Sequence, residues 1–175
     1  MTTSFPTYFD APLKLLQMES NCGLVTAWAI LKYFRKRTSS AKLIELCRHT
    51  KKHGTFTIAL AVALRQHGLK VSFFSEHDPN PNAIEKRCYR VAEKIGVDVQ
   101  QAVSLDSLLL KISSRSLAVV LYDTPEGNGH LTPLLGIDEN NLILPFSDEG
   151  SMSSQEFLTR WNKPEIYCQS LVASL

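Results

Sequence analysis

The segment SNCGLVTAWAILKYF, Ser20 to Phe34, opens on two residues suited to a helix N-terminus and then carries almost no polar side chain. Ser and Asn side chains accept hydrogen bonds from the orphan N–H groups of a first helical turn. A helix that is apolar on most faces has to be buried on most faces. The segment therefore predicts a helix that starts at Cys22, ends near Arg35 and is the most buried helix of the fold.

Working outward, AKLIELCRH after Ser39-Ser40 puts Leu43, Leu46 and Cys47 on one helical face, and TFTIALAVALRQHG forms a third helix closed by Gly68. Leu69 to Ser75 reads as a strand, Ala83 to Ile95 as a helix, Val97 to Val103 as a strand and Asp106 to Ser113 as a helix. The pattern changes after Arg115. SLAVVLYD, HLTPLLGID and NLILPFSD are short β-like runs separated by TPEGNG and by Glu139-Asn140. That punctuation predicts an antiparallel meander from segments 117–123, 130–138 and 141–147. Met152 to Trp161 follows as a helix and Ile166 to Val172 as a closing strand. Helices first and strands later give an α+β class, a helical half packed on an antiparallel sheet.

The 175 residues suit a single domain spanning 1–175. Apolar residues at 44% and charged residues at 21% exclude a disordered or collagen-like chain. A net charge of +2, from 19 Lys and Arg against 17 Asp and Glu, supplies no field for a nucleic-acid partner or an anionic membrane. No stretch reaches the ~18 to 20 apolar residues of a membrane span, so no membrane insertion is expected. The first residues, MTTSFPTYFDAPLK, lack a basic start followed by an apolar run. The expectation is a cytoplasmic protein, with leaderless export as the alternative. Cys22, Cys47, Cys88 and Cys168 are scattered and no Cys/His pair has zinc spacing. Neither a disulfide framework nor a metal or other cofactor is expected.

Cys22 has a context of its own. A thiol attacks as thiolate, and a helix N-terminus or a neighbouring imidazolium lowers its pKa. Cys22 opens the apolar helix, at the positive end of its dipole. Gly23 leaves room for a substrate backbone, and Gln17, five residues upstream, can donate to an oxyanion beside the Cys22 N–H. Among the five histidines, His49 and His53 fall in a Lys-rich surface stretch, His67 precedes a helix-stopping Gly and His77 lies in a polar loop. His130 differs, because it follows the loop Glu126 to Gly129 and starts an apolar strand, a place to hold an imidazole against a thiol.

LQMESNCGLVTAWAILKYF (Leu16 to Phe34) resembles the papain-like peptidases that cleave double-glycine leader peptides from bacteriocins. GHLTPLLGIDENNLILPFSDEGSMSSQEFLTRW (Gly129 to Trp161) resembles that family's second half, where a catalytic His opens a strand and a helix ends in Phe and Trp. Gly54 to Val71 matches its middle helix, so the resemblance covers about residues 14 to 162. It implies a papain-like fold, Cys22 as nucleophile, His130 as general base, Gln17 as oxyanion donor and a peptide or protein substrate. The family's imidazole-orienting Asp stands just before the proline that is Pro145 here, and this chain has Leu144 there. Asp148 is the nearest carboxylate, with Ser147 or a backbone carbonyl from Asn140 to Phe146 as the other acceptors. The Gln-to-Cys spacing is also one residue shorter than in the family.

Two functions from different classes follow. One is a thiol hydrolase that cleaves a peptide or amide bond, with deamidase or acyltransferase effectors as variants of the same chemistry. The other is a papain-like scaffold that only docks a peptide. The oligomeric state stays open.

Overall fold

The structure, a computed structural model, describes residues 4–175. A 3-10 turn at Tyr8–Asp10 precedes α1 (Leu13–Leu16), α2 (Cys22–Tyr33), α3 (Ser40–Leu46) and α4 (Thr57–Gln66). Then come β1 (Lys70–Ser75), α5 (Ala83–Ile95), β2 (Asp98–Gln101), α6 (Leu105–Leu109), β3 (Ser116–Asp123) and β4 (Gly129–Leu134). β5 (Gly136–Asp138), β6 (Asn141–Ile143), β7 (Ser151–Ser153), α7 (Ser154–Trp161), a 3-10 turn at Pro164–Ile166 and β8 (Ser170–Ser174) complete the chain. Among the described residues no helix is long and apolar enough to cross a membrane.

The α+β class holds, with two corrections to the sheet. The main sheet has five strands in the order β2-β1-β8-β3-β4, and its β1–β2 pair is parallel. α5 makes that crossover, opened by an Asn82/Glu85 capping box and closed by Gly96 at φ 75°. The expected meander splits after its second strand. β3 and β4 pair antiparallel in the main sheet, whereas β5, β6 and β7 form a separate three-stranded sheet. Gly136, at φ 150°, sits where the chain leaves one sheet for the other. β8 starts later than expected because Tyr167 and Cys168 are both left-handed, at φ 53° and 46°, before the chain enters the sheet between β1 and β3.

SLAVVLYD explains the layering. Leu117 and Val119 face the core built on α2 and α4, while Ala118, Val120 and Tyr122 face a second core with Leu108, Phe157 and Trp161. Alternate side chains of a strand point to opposite faces, so a strand covered on both sides is apolar at nearly every position. Helices thus lie on both faces of the sheet rather than in one half. α4 is the most enclosed of the long helices, with eight of its ten residues buried against eight of twelve in α2. The N-terminal end of α2 is half-buried at Cys22, where it meets a cleft.

Phe157 holds the second core under the start of β4. It is fully buried, with ring centroids 5.3 Å from Trp161 and 6.2 Å from Tyr122. Tyr122 in turn packs edge-on against His130 at 5.4 Å. Phe157→Ala is expected to cost about 3–5 kcal/mol, read as a lower urea midpoint at an unchanged denaturant slope.

Candidate active site

Cys22 is the first residue of α2, and no side chain caps that helix. Asn21 is occupied elsewhere: its Nδ2 donates to the Leu15 and Leu16 carbonyls at 3.0 and 3.1 Å, and its Oδ1 accepts from the Tyr8 hydroxyl at 3.0 Å. The start of α2 therefore keeps free N–H groups, and that of Gly23 helps lower the Cys22 thiol pKa.

The edge strand β4 supplies the rest. Leu121 donates its N–H toward β8, to Gln169 at 3.2 Å, so its cross-strand partner Leu131 turns its own backbone away from β3. Those outward groups meet α2. The Leu131 N–H lowers the Cys22 thiol pKa from that side, and the Leu131 carbonyl accepts from the buried Thr26 hydroxyl at 3.2 Å. Pro133 shares the outward register and has no N–H to leave unpaired.

His130 and Thr132 grip one residue between them. His130 Nε2 donates to the Phe146 carbonyl at 2.7 Å, and the Phe146 N–H donates to Thr132 Oγ1 at 3.2 Å. Positions two apart on a strand share a face, which is why both reach the same backbone unit. With Nε2 carrying the proton to Phe146, Nδ1 is the ring nitrogen left to interact with Cys22.

Burial pushes the Cys22 thiol up, but the His130 hydrogen bond, the Leu131 N–H, the His130 charge and the Gly23 N–H outweigh it, and the pKa lies below that of an ordinary thiol. Burial pushes the His130 imidazole down, but the hydrogen bond and charge of Cys22, the Phe146 carbonyl and the Asp148 charge raise it on balance. The two shifts favour the same state, a thiolate beside an imidazolium. The other cysteines go the opposite way: burial pushes Cys47 to about 12 and Cys168 to about 11, and raises Cys88.

Cys22 and His130 face a cleft of about 1010 Å³ that also takes in Phe146 and Asp148. Asp148 acts on His130 through its charge, while the hydrogen bond at Nε2 goes to the main chain. Leu144 is fully buried in the second core. Gln17 does not join the site. It ends α1 with its N–H on the Leu13 carbonyl at 3.0 Å, its side chain is exposed, and it does not line the cleft. Neighbouring helical residues point roughly 100° apart, and on this turn the fully buried direction belongs to Leu15. The room expected at Gly23 is also taken, because a Cβ there would stand 2.6 Å from Thr55 Cβ. The Phe146 carbonyl is the last of the Asn140 to Phe146 backbone acceptors expected in place of the missing Asp, whereas Thr132, which holds Phe146 through its hydroxyl, is not singled out. Only its spacing from His130 on one strand hints at it.

No protein-family model matches the sequence, and no curated protein does. Solved structures do match. The peptidase domain of Streptococcus ComA, a bifunctional ABC transporter of a quorum-sensing pathway, superposes with a TM-score of 0.55 at 16% identity, over 87% of this chain and 90% of that one. A double-glycine-motif protease from an AMS/PCAT transporter, solved with its leader peptide, gives 0.54 at 13% identity over 91% and 88%. A Bacillus anthracis protein described as a C39-like peptidase gives 0.63 at 12% identity over 98% and 95%. The fold is papain-like, of the C39 type. At these identities the likeness establishes the fold, and the chemistry rests on the site.

Two outcomes follow. Iodoacetamide modifies Cys22 at pH values where Cys47, Cys88 and Cys168 stay unmodified, because only the Cys22 thiolate is favoured below the ordinary thiol range; mass spectrometry of each cysteine peptide reads this. Gly23→Ala drives a methyl into Thr55 and Leu131, costs about 1–3 kcal/mol by overpacking, and slows the same alkylation.

Proposed function

We propose that this chain is a cysteine peptidase-like hydrolase that cleaves a peptide or amide bond. The observation that carries the reading is the presence of Cys22 and His130 on one cleft, with each shifting the other's pKa, the thiol down and the imidazole up. The C39-type fold supports it, as does a cleft volume suited to an extended peptide.

In this mechanism the Cys22 thiolate attacks the carbonyl carbon. The developing oxyanion is met by main-chain N–H groups at the start of α2, where the helix dipole adds its positive end. His130 holds the proton on Nδ1 and passes it to the leaving amine as the C–N bond breaks. It then takes a proton from the water that hydrolyses the thioester. The Phe146 carbonyl fixes the tautomer that leaves Nδ1 toward sulfur, a task an Asp performs in related triads. Asp148 contributes charge that favours the imidazolium. Gln17 has no part in this route, since its side chain is exposed away from the cleft.

A second reading, a scaffold that docks a peptide without cutting it, is favoured by the same exposure of Gln17 and by Leu144 at the orienting position. A mixture of random peptides, incubated with the protein and read by mass spectrometry, separates the two. The hydrolase reading expects new termini that vanish in Cys22→Ala. Peptides retained but uncut by both proteins would establish the docking scaffold instead.

Cleavage should follow a bell in pH. It rises as Cys22 ionises, below the ordinary thiol range, and falls as His130 loses its proton, above the ordinary imidazole range. Asp148→Asn removes a charge that raises His130, so the alkaline limb moves to lower pH while the maximal rate falls less than about tenfold. An orienting carboxylate would lose about 10⁴-fold on the same change. Gln17→Ala is expected to alter the rate less than about twofold, against the ~10²–10³ of a lost oxyanion donor.

A further inference from the structure

The segment between α3 and α4 grips the loop that carries the nucleophile. His49 follows Arg48, a left-handed residue at φ 48° that ends α3, and its imidazole lies between two groups flanking Cys22. His49 Nε2 is 3.0 Å from the Glu19 carbonyl oxygen, and Nδ1 is 3.2 Å from Thr55 Oγ1. A carbonyl can only accept, so Nε2 donates to it and Nδ1 accepts from the Thr55 hydroxyl. Glu19 stands three residues before Cys22, and Thr55 packs on Gly23, the residue after it.

Further contacts join the same two segments. The Ser20 hydroxyl donates to the Lys51 carbonyl at 3.2 Å. Gly54, at φ 62°, leaves space where a Cβ would come within 2.9 Å of the Ser20 carbonyl oxygen. Ser20 itself is left-handed at φ 54°, a conformation that a serine adopts only when its surroundings impose it. His49 does not line the cleft.

We propose that His49 is a positioning residue for acyl transfer: it holds the Glu19–Cys22 backbone so that the N–H groups opening α2 meet the substrate oxyanion. The proposal rests on the hydrolase reading above. With the Gln17 side chain outside the cleft, the oxyanion depends on main-chain donors, and their placement is that of this loop.

The test compares attack with and without an oxyanion. Iodoacetamide alkylates by displacement at a saturated carbon: the S–C bond forms, iodide leaves with the bonding pair, and no oxyanion develops. p-Nitrophenyl acetate acylates through a tetrahedral oxyanion, whose collapse breaks the C–O bond, expels p-nitrophenolate and leaves Cys22 as a thioester. His49→Ala is expected to alkylate Cys22 within about twofold of the parent at each pH, and to slow the acylation burst by about 10²-fold, the scale of a misplaced oxyanion donor. His49→Gln, whose amide can still donate to the Glu19 carbonyl, is expected to recover most of the burst rate.

His49→Ala that acylates at the parent rate overturns the proposal. So does an equal loss of both reactions, which would mean a displaced sulfur rather than displaced N–H groups. If circular dichroism shows His49→Ala unfolded, Thr55→Val carries the test, since it removes the Nδ1 partner and keeps the side-chain shape. It is expected to slow acylation several-fold at an unchanged alkylation rate, and equal acylation overturns the proposal. A parent protein that alkylates at Cys22 but gives no burst fails earlier and differently, and sinks the hydrolase reading along with the role given to His49.

Discussion

The outward backbone face of Leu131 is the contact on which the rest of the site depends. β4 is the last strand of the main sheet, and an unpaired edge would leave its polar groups open to another chain. Here the edge is spent on α2. One residue turns its N–H toward the Cys22 side, where it lowers the thiol pKa, and receives the Thr26 hydroxyl on its carbonyl, so helix and sheet are joined beside Cys22. The strand's period of two then does the remaining placement. Residues on either side of Leu131, His130 and Thr132, turn the other way and clasp Phe146 by its carbonyl and its N–H. A shift of one residue in β4 would exchange the two sets and dismantle both contacts.

A neutral carbonyl in place of a carboxylate changes the electrostatics of the imidazole without changing its orientation. The Phe146 oxygen selects the tautomer as an Asp would, through a hydrogen bond at Nε2. It brings no full negative charge, so Cys22 is the main partner that raises the His130 pKa, with the Asp148 charge a smaller help. The Phe146 unit is held firmly enough for this. Its ring is buried between Phe5 and Tyr8, with centroids 6.1 and 5.8 Å away, and the next residues close a turn from the Leu144 carbonyl to the Ser147 N–H at 2.9 Å.

Likeness to C39-type domains at 12–16% identity carries the architecture, and architecture alone hosts many activities. The support for a thiol reaction is a local arrangement. One cysteine out of four has its pKa lowered, and it is the one at a helix start beside an imidazole in a cleft. At the positions where the resemblance places an orienting Asp and a donating Gln, this chain has a buried Leu144 and an exposed Gln17, and the imidazole Nε2 meets the Phe146 carbonyl instead.

Local periodicity suffices for α2 to α5, α7, β1 and β3, because each depends on side chains close in sequence, whereas α1 is not expected, α6 ends at Leu109 rather than Ser113, and the run 130–138 divides between β4 and β5. Cys22 and His130, far apart in the chain, are singled out by their local contexts and by the family resemblance. The apolar run of α2, the Gly stops and the loop before His130 are features of that kind. Other features needed the tertiary structure. The continuous apolar character of Ser116 to Asp123 signals burial on both faces, but only packing assigned Ala118, Val120 and Tyr122 to a second core under α7. The parallel β1–β2 pair and the split into two sheets depend on where distant strands meet. Gln17 has the right side chain and the wrong azimuth, set by Leu15 taking the interior. The acceptor for His130 is a backbone oxygen, a group every residue owns, so the sequence narrows it only to the Asn140 to Phe146 stretch, beside Asp148 and Ser147. It became the orienting group because the fold turned that one carbonyl toward Nε2.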